Sequence, residues 1–285
     1  MYFLGIDAGA SATKWALIDE NGLITSGVRE AMDGHLYREE SKVRMEKVFK
    51  EIVHQIAGKS ISKIYLGITG VVNDGSIQEF LRQTFNAPAT VVSDIELAYR
   101  ANFSENRGIL LYAGTGSVAY AIDERGVVQQ TGGWGYLIGD EGGGYWIGRE
   151  AIRNVLFGIE SKTSIENGSL ASLIMKEIKA SDWNSVKAFV YSQERSAIAA
   201  LSRIVNMAAE SGDKDAFDIL RKAAGHLAEL VHRTDNNLFE KSLPVKFTGG
   251  ISSSTLLYRE LERVLPMRVA VSTVDIAQRA AELAR

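Results

Sequence analysis

A short turn near the N-terminus combines small residues with groups suited to binding a nucleotide phosphate. It runs from Asp7 to Lys14 and contains Gly9, Ser11 and Thr13. Small residues let backbone N–H groups approach an anion, while the hydroxyls and the lysine add donors and positive charge. Asp7 is expected to hold Mg²⁺ through water, because this ion keeps most of its waters in proteins. Taken alone, the segment fits a plain hairpin turn with a capping aspartate equally well.

A second turn of the same character lies in the middle of the chain. It consists of Gly114, Thr115, Gly116 and Ser117 and follows an apolar run at residues 109–112. Both turns connect predicted strands, unlike the dinucleotide-binding glycine loop, which opens a helix. Two such turns facing each other would hold a phosphate chain from both sides, so together they favour phosphate binding.

The densest group of glycines lies at residues 131–146, where seven of sixteen residues are glycine. This composition excludes a stable helix or strand interior and predicts a shaped loop, the kind of segment that often carries function. Trp134 offers a flat apolar face for a sugar ring, and Asp140 and Glu141 offer acceptors for hydroxyl groups. Both carboxylates are expected just before a helix, where negative charge is favoured, so a helix cap and structural turn is the alternative.

A third glycine turn, at Gly249 and Gly250, follows a predicted strand at residues 244–247 and precedes a helix. Such a turn lets a base or ribose lie against the backbone. Many strand-to-helix turns contain glycine, so this signal is weak by itself.

In the first part of the chain, strand signals and helix signals alternate, and they predict the elements that hold the first turn. Apolar runs predict strands, with the tight-turn pair Asn21-Gly22 joining two of them. The predicted strands span residues 2–7, 13–19, 23–29, 64–68 and 91–93. A helix is predicted over residues 40–57, with Val43, Val48, Ile52 and Ile56 near its buried face.

The second part of the chain begins by repeating the first. Residues 18–22 and 122–126 are identical at four of five positions, at a constant offset of 104 residues. Each copy ends a strand, turn, strand unit, which favours an internal duplication with a boundary near residue 107. Beyond this repeat, helices are predicted over 145–157, 169–179, 196–210, 213–238 and 274–284, with strands at 244–247 and 268–271.

Composition narrows the classes of function. The 285 residues carry a formal net charge of -3 without a basic stripe, so nucleic acid is not an expected partner. The absence of cysteine excludes disulfides, a thiol nucleophile and cysteine-ligated metals. The sequence shows no apolar run of membrane-spanning length and no signal peptide, so no membrane partner and a cytoplasmic location are expected. Whether the chain forms a homodimer stays open.

Taken together, these motifs resemble the N-acetylglucosamine kinases, within the BadF/BadG/BcrA/BcrD-type ATPases and sugar kinases of the actin/hexokinase-like superfamily. The most specific part of the resemblance is residues 132–135, 139–142 and 145–148. The turns at 7–14, 113–117 and 248–250 are similar to the family's two phosphate motifs and its adenosine motif, so the resemblance covers essentially the whole chain.

The resemblance implies an α/β, two-lobed, ribonuclease H-like actin/hexokinase ATPase fold, with a mixed five-stranded sheet and flanking helices in each lobe. One lobe would comprise residues 1–107 plus 272–285 and the other residues 108–271, with the substrate cleft between them. Asp94, after the strand at 91–93, is implied as the general base; capping a helix is its alternative role. The substrates and cofactor implied are a small sugar, ATP and Mg²⁺. The full sugar-binding set expected is Thr131, Gly133, Trp134, Asp140 and Glu141.

Other functions remain open at this point. The family's loop that reads the acetamido group usually holds an asparagine, whereas residues 32–35 contain none. A kinase for glucosamine, an anhydro sugar or a muramic sugar is therefore one alternative, and a non-catalytic ATP- or sugar-binding sensor is another. Activator ATPases of dehydratases hold an iron–sulfur cluster through cysteines, which this chain lacks. The favoured prediction is ATP-dependent phosphorylation of N-acetylglucosamine at its 6-hydroxyl.

Overall fold

The computed structural model describes residues 1–9, 11–72, 74–105, 107–162 and 165–285. The chain divides into two compact units. The first comprises Met1–Ser104 and Thr273–Arg285, and the second comprises Glu105–Ser272. Within the described ranges, no helix is both long and apolar enough to cross a membrane.

A five-stranded mixed sheet forms the centre of the first unit. Its strands are β1 (Tyr2–Ala8), β2 (Thr13–Asp19), β3 (Gly22–Arg29), β4 (Ile61–Ile68) and β5 (Ala89–Ser93). Across the sheet their order is β3-β2-β1-β4-β5. The first three strands form an antiparallel meander, whereas β4 and β5 run parallel to β1. The C-terminal ends of β1, β4 and β5 therefore share one edge.

Helices cover both faces of this sheet. They are α1 (Glu39–Gln55), α2 (Ser76–Phe85), α3 (Asp94–Asn102) and the C-terminal helix (Ile276–Ala284). Residues of α1 and α2 join the larger core on one face, and residues of α3 and the C-terminal helix join a smaller core on the other. Gly5 permits the close approach of the C-terminal helix, since a Cβ there would lie 2.1 Å from the Ala277 carbonyl oxygen.

Two details of this unit differ from the sequence analysis. Val43 was predicted on the buried face of α1 but is 56% exposed, and Met45 and Phe49 are buried instead. Helix α2 was not predicted. It begins after Gly75, which has a left-handed conformation and supplies no side-chain cap, so the usual start signal is missing.

The second unit repeats the sheet topology of the first. Its strands are β6 (Ile109–Ala113), β7 (Ser117–Ile122), β8 (Val128–Gly132), β9 (Val245–Thr248) and β10 (Val269–Val271). Their order is β10-β9-β6-β7-β8, with β6 to β8 antiparallel and β9 and β10 parallel to β6. A mixed five-stranded sheet in each half, as expected, is confirmed.

Seven helices belong to the described part of this unit: α4 (Gly144–Glu160), α5 (Leu170–Glu177), α6 (Trp183–Ser192), α7 (Arg195–Ala200), α8 (Ser202–Glu210), α9 (Lys214–Asn237) and α10 (Thr255–Val264). A 3₁₀ turn, Gly250–Ser253, precedes α10.

The helix predicted over residues 196–210 is divided into α7 and α8. The Ser202 hydroxyl donates to the Ala199 carbonyl oxygen at 2.7 Å, and the Leu201 N–H bonds the Ile198 carbonyl three residues back. Such local bonds compete with the regular helical pattern.

Two further elements differ from the sequence analysis. Helix α6 was not predicted, and β8 takes the first two residues of the segment predicted as a glycine-rich loop.

Candidate functional site

The first phosphate turn lies between β1 and β2. Asp7 pairs directly with Lys14 across these strands. Burial raises the pKa of Asp7 to about 6; the nearby Asp94 carboxylate adds to this shift and Lys14 opposes it. A cation at Asp7 would offset the repulsion between the two carboxylates, so this site fits Mg²⁺ held partly by water. Among the described residues, no group of three or more His, Cys, Asp or Glu could hold a metal.

The hydroxyls predicted at this turn are placed differently from one another. The Gly9 N–H bonds the Ala12 carbonyl oxygen at 3.1 Å and closes the turn, and Ser11 is exposed. Thr13 is fully buried, and its Oγ1 has no hydrogen-bond partner among the residues that the structure describes. Of the two predicted hydroxyls, therefore, only that of Ser11 lies at the surface of the unit. Ala10, within the same motif, lies outside the described residues.

Asp94, the predicted base, is the first residue of α3. Ser93 rather than Asp94 caps this helix, because the Ser93 Oγ accepts the Glu96 N–H at 3.2 Å. The alternative capping role considered for Asp94 is therefore wrong, and its carboxylate instead accepts the Ile95 N–H at 2.9 Å. Burial raises the pKa of Asp94, while hydrogen bonds from backbone N–H groups and the Thr69 side chain oppose that shift.

Three neighbouring strand ends bring the polar groups of the first unit together. Asp7 lies near the end of β1, Thr69 follows β4, and Asp94 follows β5. The Thr69 N–H bonds the Ala8 carbonyl oxygen at 3.0 Å, which joins the first two ends. Thr69 was not identified from the sequence. Its signal was present, however, since it is a polar residue directly after a parallel strand beside β1.

The second phosphate turn is held by the start of α4. The Gly144 N–H bonds the Gly114 carbonyl oxygen at 2.8 Å, and the Tyr145 N–H bonds that of Thr115 at 3.0 Å. Within the turn, the Gly114 N–H bonds the Gly116 carbonyl oxygen at 2.9 Å. In the described structure the N–H groups of Thr115 and Gly116 have no acceptor. These two donors are therefore available for an anion.

Asp140 lies directly against this turn. Its φ of 63° is uncommon for a residue other than glycine and is a form of backbone strain found at functional sites. A Cβ added to Gly116 would lie 2.3 Å from the Asp140 Oδ2, so any side chain at this position would displace the carboxylate. Burial raises the pKa of Asp140, while hydrogen bonds from the Gly135 and Ser117 N–H groups oppose the shift.

Glu141 contacts the same turn through its backbone. Its carbonyl oxygen accepts the Ser117 hydroxyl at 2.7 Å. The N-cap of α4 is Gly143, which supplies no side-chain cap. Asp140 and Glu141 thus precede the helix without capping it, and the helix-cap alternative is wrong for both.

The other predicted sugar-binding residues differ in accessibility. Thr131 is buried, and its hydroxyl accepts a hydrogen bond from that of Thr234 in α9 at 2.8 Å. Gly133 has a φ of 69°, and Trp134 is 56% exposed. The guanidinium of Arg233 lies 5.4 Å from the centre of the Trp134 ring. Trp134 and Gly133 can therefore contact a ligand, whereas the Thr131 hydroxyl is engaged with α9. Arg233 carried no sequence signal.

The predicted adenosine turn packs against the second phosphate turn. Gly249 has a φ of 96°, and a Cβ there would lie 2.3 Å from the Ala113 carbonyl oxygen. A Cβ added to Gly250 would have nothing within 4 Å beyond its chain neighbours. Backbone contact at Gly249 thus places this turn beside the open N–H groups at residues 115 and 116.

These placements can be compared with known proteins. A family model, the BadF/BadG/BcrA/BcrD ATPase family, matches residues 4–281. The chain belongs to the BadF/BadG/BcrA/BcrD ATPase family. This membership confirms the family resemblance drawn from the glycine-rich motifs.

Two curated proteins are similar to this family member over most of its length. An N-acetylmuramic acid/N-acetylglucosamine kinase of Clostridium acetobutylicum is 29% identical, covering 93% of this chain and 90% of that protein. An N-acetyl-D-glucosamine kinase of Dictyostelium discoideum is 24% identical, covering 99% of this chain and 97% of that protein.

A solved structure from Chromobacterium violaceum, described as a candidate N-acetylglucosamine kinase, is also similar to this BadF/BadG/BcrA/BcrD family member. Its TM-score is 0.82 at 25% identity, and the match covers 99% of this chain and 98% of that chain.

Proposed function

We propose that this protein is an ATP-dependent sugar kinase whose acceptor is N-acetylglucosamine or a close relative. The observation that carries the proposal is Asp94, a half-buried carboxylate with a raised pKa beside Asp7 and Thr69 at one edge of the first sheet. Membership of an ATPase family supports ATP as the donor. The names of the two curated relatives support an N-acetylated sugar as the acceptor.

In the proposed reaction Asp94 accepts the proton of the sugar hydroxyl. The hydroxyl oxygen then forms a bond to the γ-phosphorus as the bond between that phosphorus and the ADP oxygen breaks. A raised pKa suits this role, because the carboxylate must be ionised before the transfer and hold the proton after it. The Ile95 N–H, at 2.9 Å, helps to keep the carboxylate ionised and fixes its position.

The remaining residues bind and orient the donor and the acceptor. In this proposal the open N–H groups of Thr115 and Gly116 and the ammonium of Lys14 would contact phosphate oxygens, where charge develops during transfer. Asp7 would hold Mg²⁺ through water, and that ion supplies charge neutralisation on the phosphates. The exposed face of Trp134 and the carboxylate of Asp140 are assigned to the sugar ring and its hydroxyls.

The test measures the rate of ADP release from MgATP with each of five sugars as the acceptor: N-acetylglucosamine, glucosamine, N-acetylmannosamine, N-acetylmuramic acid and glucose. We expect the highest kcat/KM with N-acetylglucosamine. Preference for another sugar in the panel would keep the kinase and change its substrate. Binding of ATP without phosphorylation of any sugar would contradict the proposal and favour a sensor.

We further propose the 6-hydroxyl as the phosphorylated group. 6-Deoxy-N-acetylglucosamine should then inhibit competitively without being phosphorylated, and the phosphorus NMR spectrum of the product should show coupling to the C6 protons. Phosphorylation of the 6-deoxy sugar would place the acceptor oxygen elsewhere on the ring.

A further inference from the structure

Thr69, the residue that follows β4, is held through its backbone by two other segments of the first unit. Its N–H bonds the Ala8 carbonyl oxygen, at the end of β1, at 3.0 Å. Its carbonyl oxygen accepts the Gly34 N–H, from the loop between β3 and α1, at 2.9 Å. Both main-chain polar groups of Thr69 are therefore satisfied, and together they fix the direction in which its side chain leaves the backbone.

The register of the sheet places Thr69 beside Asp94. Strand β4 runs parallel to β5, and its last residue, Ile68, pairs with Ser93, the last residue of β5. Neighbouring strands in a sheet lie about 4.8 Å apart. Thr69 and Asp94 each follow directly after one of these paired residues, so the sheet makes them neighbours.

Close packing of α3 on β4 holds Asp94 in this position. A Cβ added to Gly67 in β4 would lie 2.5 Å from the Leu97 Cβ in α3, so glycine permits the helix to approach the strand. Leu97 is fully buried in the smaller core of the first unit. Because α3 begins at Asp94, one turn before Leu97, this contact sets the position of Asp94 relative to the end of β4.

The Thr69 side chain adds a hydrogen bond to the Asp94 carboxylate. The hydroxyl is the donor, because an ionised carboxylate can only accept. The Asp94 Oδ1 also accepts the Ile95 N–H at 2.9 Å, but this donor belongs to α3 itself. The Thr69 hydroxyl belongs to a different strand end, so it ties the carboxylate to the sheet. A carboxylate has about four acceptor positions, which leaves room for a substrate hydroxyl.

We propose that Thr69 is a positioning residue for proton transfer, whose hydroxyl holds the Asp94 carboxylate in the rotamer that presents a free oxygen lone pair to the acceptor hydroxyl. The inference rests on the proposed function, in which Asp94 is the base, and it adds a residue that acts through Asp94 without contacting the sugar. A threonine that only connected segments would need its two backbone bonds but not its hydroxyl bond.

The main test compares Thr69→Val with Thr69→Ser, using the best acceptor of the five-sugar panel. Valine keeps the branched shape and both backbone bonds but removes the hydroxyl, whereas serine keeps the hydroxyl. We expect Thr69→Val to lower kcat roughly 10- to 100-fold, the range for a hydrogen bond to a charged group. The KM values for sugar and MgATP should change less than about twofold, because the bond acts on the base. Thr69→Ser should keep most of the natural kcat.

A double-mutant cycle separates positioning from a structural role. In an Asp94→Asn background, Thr69→Val should change the residual kcat by less than about threefold, because residues that act as a unit have non-additive effects. A structural role would lower kcat by the same factor in both backgrounds. Full additivity, equal kcat losses in Thr69→Val and Thr69→Ser, or unchanged kcat in Thr69→Val would overturn the inference.

Two further variants control for folding and packing. Thr69→Ala removes the hydroxyl without adding bulk, so it should show the same kcat loss and takes the place of Thr69→Val if that variant does not fold. Thr84→Val in α2 is the matched control. Thr84 is also half-buried, but its hydroxyl donates to the Phe80 carbonyl oxygen at 2.9 Å, so this variant should leave kcat unchanged.

The same set of variants distinguishes failure of this inference from failure of the proposed function. Near-normal turnover in Asp94→Asn would remove the proposed base, and the positioning role would fail with it. A strong loss in Asp94→Asn together with natural kcat in Thr69→Val would keep the base and overturn only the positioning role.

Discussion

The turn between β1 and β2 and the turn between β6 and β7 occupy equivalent places in two sheets of the same strand order. Around the first turn the functional groups are side-chain charges, on Asp7, Lys14 and Asp94. The second turn contains no charged residue, and the backbone of α4 and Gly249 holds it in place.

This difference shows how one backbone plan can perform two tasks. The first turn brings carboxylates and an ammonium together. Burial and the repulsion from Asp94 disfavour the ionised form of Asp7 and raise its pKa. The second turn presents two open N–H groups and is stabilised by hydrogen bonds to its carbonyl oxygens. We infer that charge-dependent chemistry belongs to the first turn and shape-dependent binding to the second.

The largest effect is expected at the first turn, whose groups are charged. Asp94→Asn removes the proposed base while preserving a hydrogen-bond acceptor for the Ile95 N–H, so kcat should fall by about 10²-fold or more. The KM for MgATP should stay nearly unchanged. Steady-state kinetics of the purified variant check this, and near-normal turnover would remove Asp94 from the role.

The same residue predicts a pH dependence. Because burial raises the pKa of Asp94, the natural protein should lose kcat/KM on the acid side at a higher pH than an ordinary aspartate would cause. The loss follows protonation of the base, so activity rises with pH through this pKa. The residual activity of Asp94→Asn should lack that step.

At the backbone-held turn, Gly249→Ala should act through shape alone. The added Cβ would meet the Ala113 carbonyl oxygen at 2.3 Å, and the φ of 96° is unfavourable for alanine. Overpacking of this kind destabilises the observed conformation by about 1–3 kcal/mol. If that conformation is the one that binds ATP, the whole cost falls on binding, and the KM for MgATP should rise by at most roughly 5- to 150-fold. Gly250→Ala, with nothing within 4 Å of its Cβ, is the matched control. Equal kinetics for the two variants would argue against close packing of this turn.

A smaller effect should appear in stability at the first turn. The pKa of Asp7 is raised in the folded state to about 6, from 3.8, so the folded protein binds this proton more tightly than the unfolded chain. The unfolding free energy from this group is therefore highest at low pH and falls as pH rises through about 6. Asp7→Asn should raise stability at pH 8 by at most about 3 kcal/mol and change little at pH 4.

Denaturant unfolding at the two pH values checks the Asp7 prediction. Asp123→Asn in the second unit tests the opposite case, a carboxyl group whose pKa is lowered in the folded protein. A hydrogen bond from the Arg125 side chain lowers the pKa of Asp123. That variant should lose stability at pH 8. A destabilised Asp7→Asn variant at pH 8 would mean that its charge is compensated in the folded protein.

The smallest expected effects compare two hydroxyls at equivalent strand starts, Thr13 in β2 and Ser117 in β7. Thr13→Val removes a buried hydroxyl that has no hydrogen-bond partner in the described part of the chain, and it should leave stability unchanged or slightly raised. Ser117→Ala removes the 2.7 Å bond to the Glu141 carbonyl oxygen and should cost about 1 kcal/mol. Melting temperatures decide the comparison, and a larger loss for Thr13→Val would contradict it.

Much of the fold could be predicted because its signals are local. Apolar runs and turn residues identified the two strands on either side of the first turn, β1 and β2, and helical spacing identified α1. Helix α6 was missed although Asp182 and Ser185 form a capping box that marks its start. Helix α2 offered no such signal, since Gly75 cannot cap it with a side chain.

The sequence by itself determined the two glycine turns, most of the strands and helices in their order, and the exclusion of cysteine chemistry. Tertiary structure decided the rest: the burial of the Thr13 hydroxyl, the engagement of Thr131 with α9, and the contacts of Gly249 with Ala113 and of His35 with Gly70. The physical reason is distance along the chain. Turn and helix preferences act over a few residues, whereas burial, pKa values and close backbone contacts depend on segments that meet only after folding.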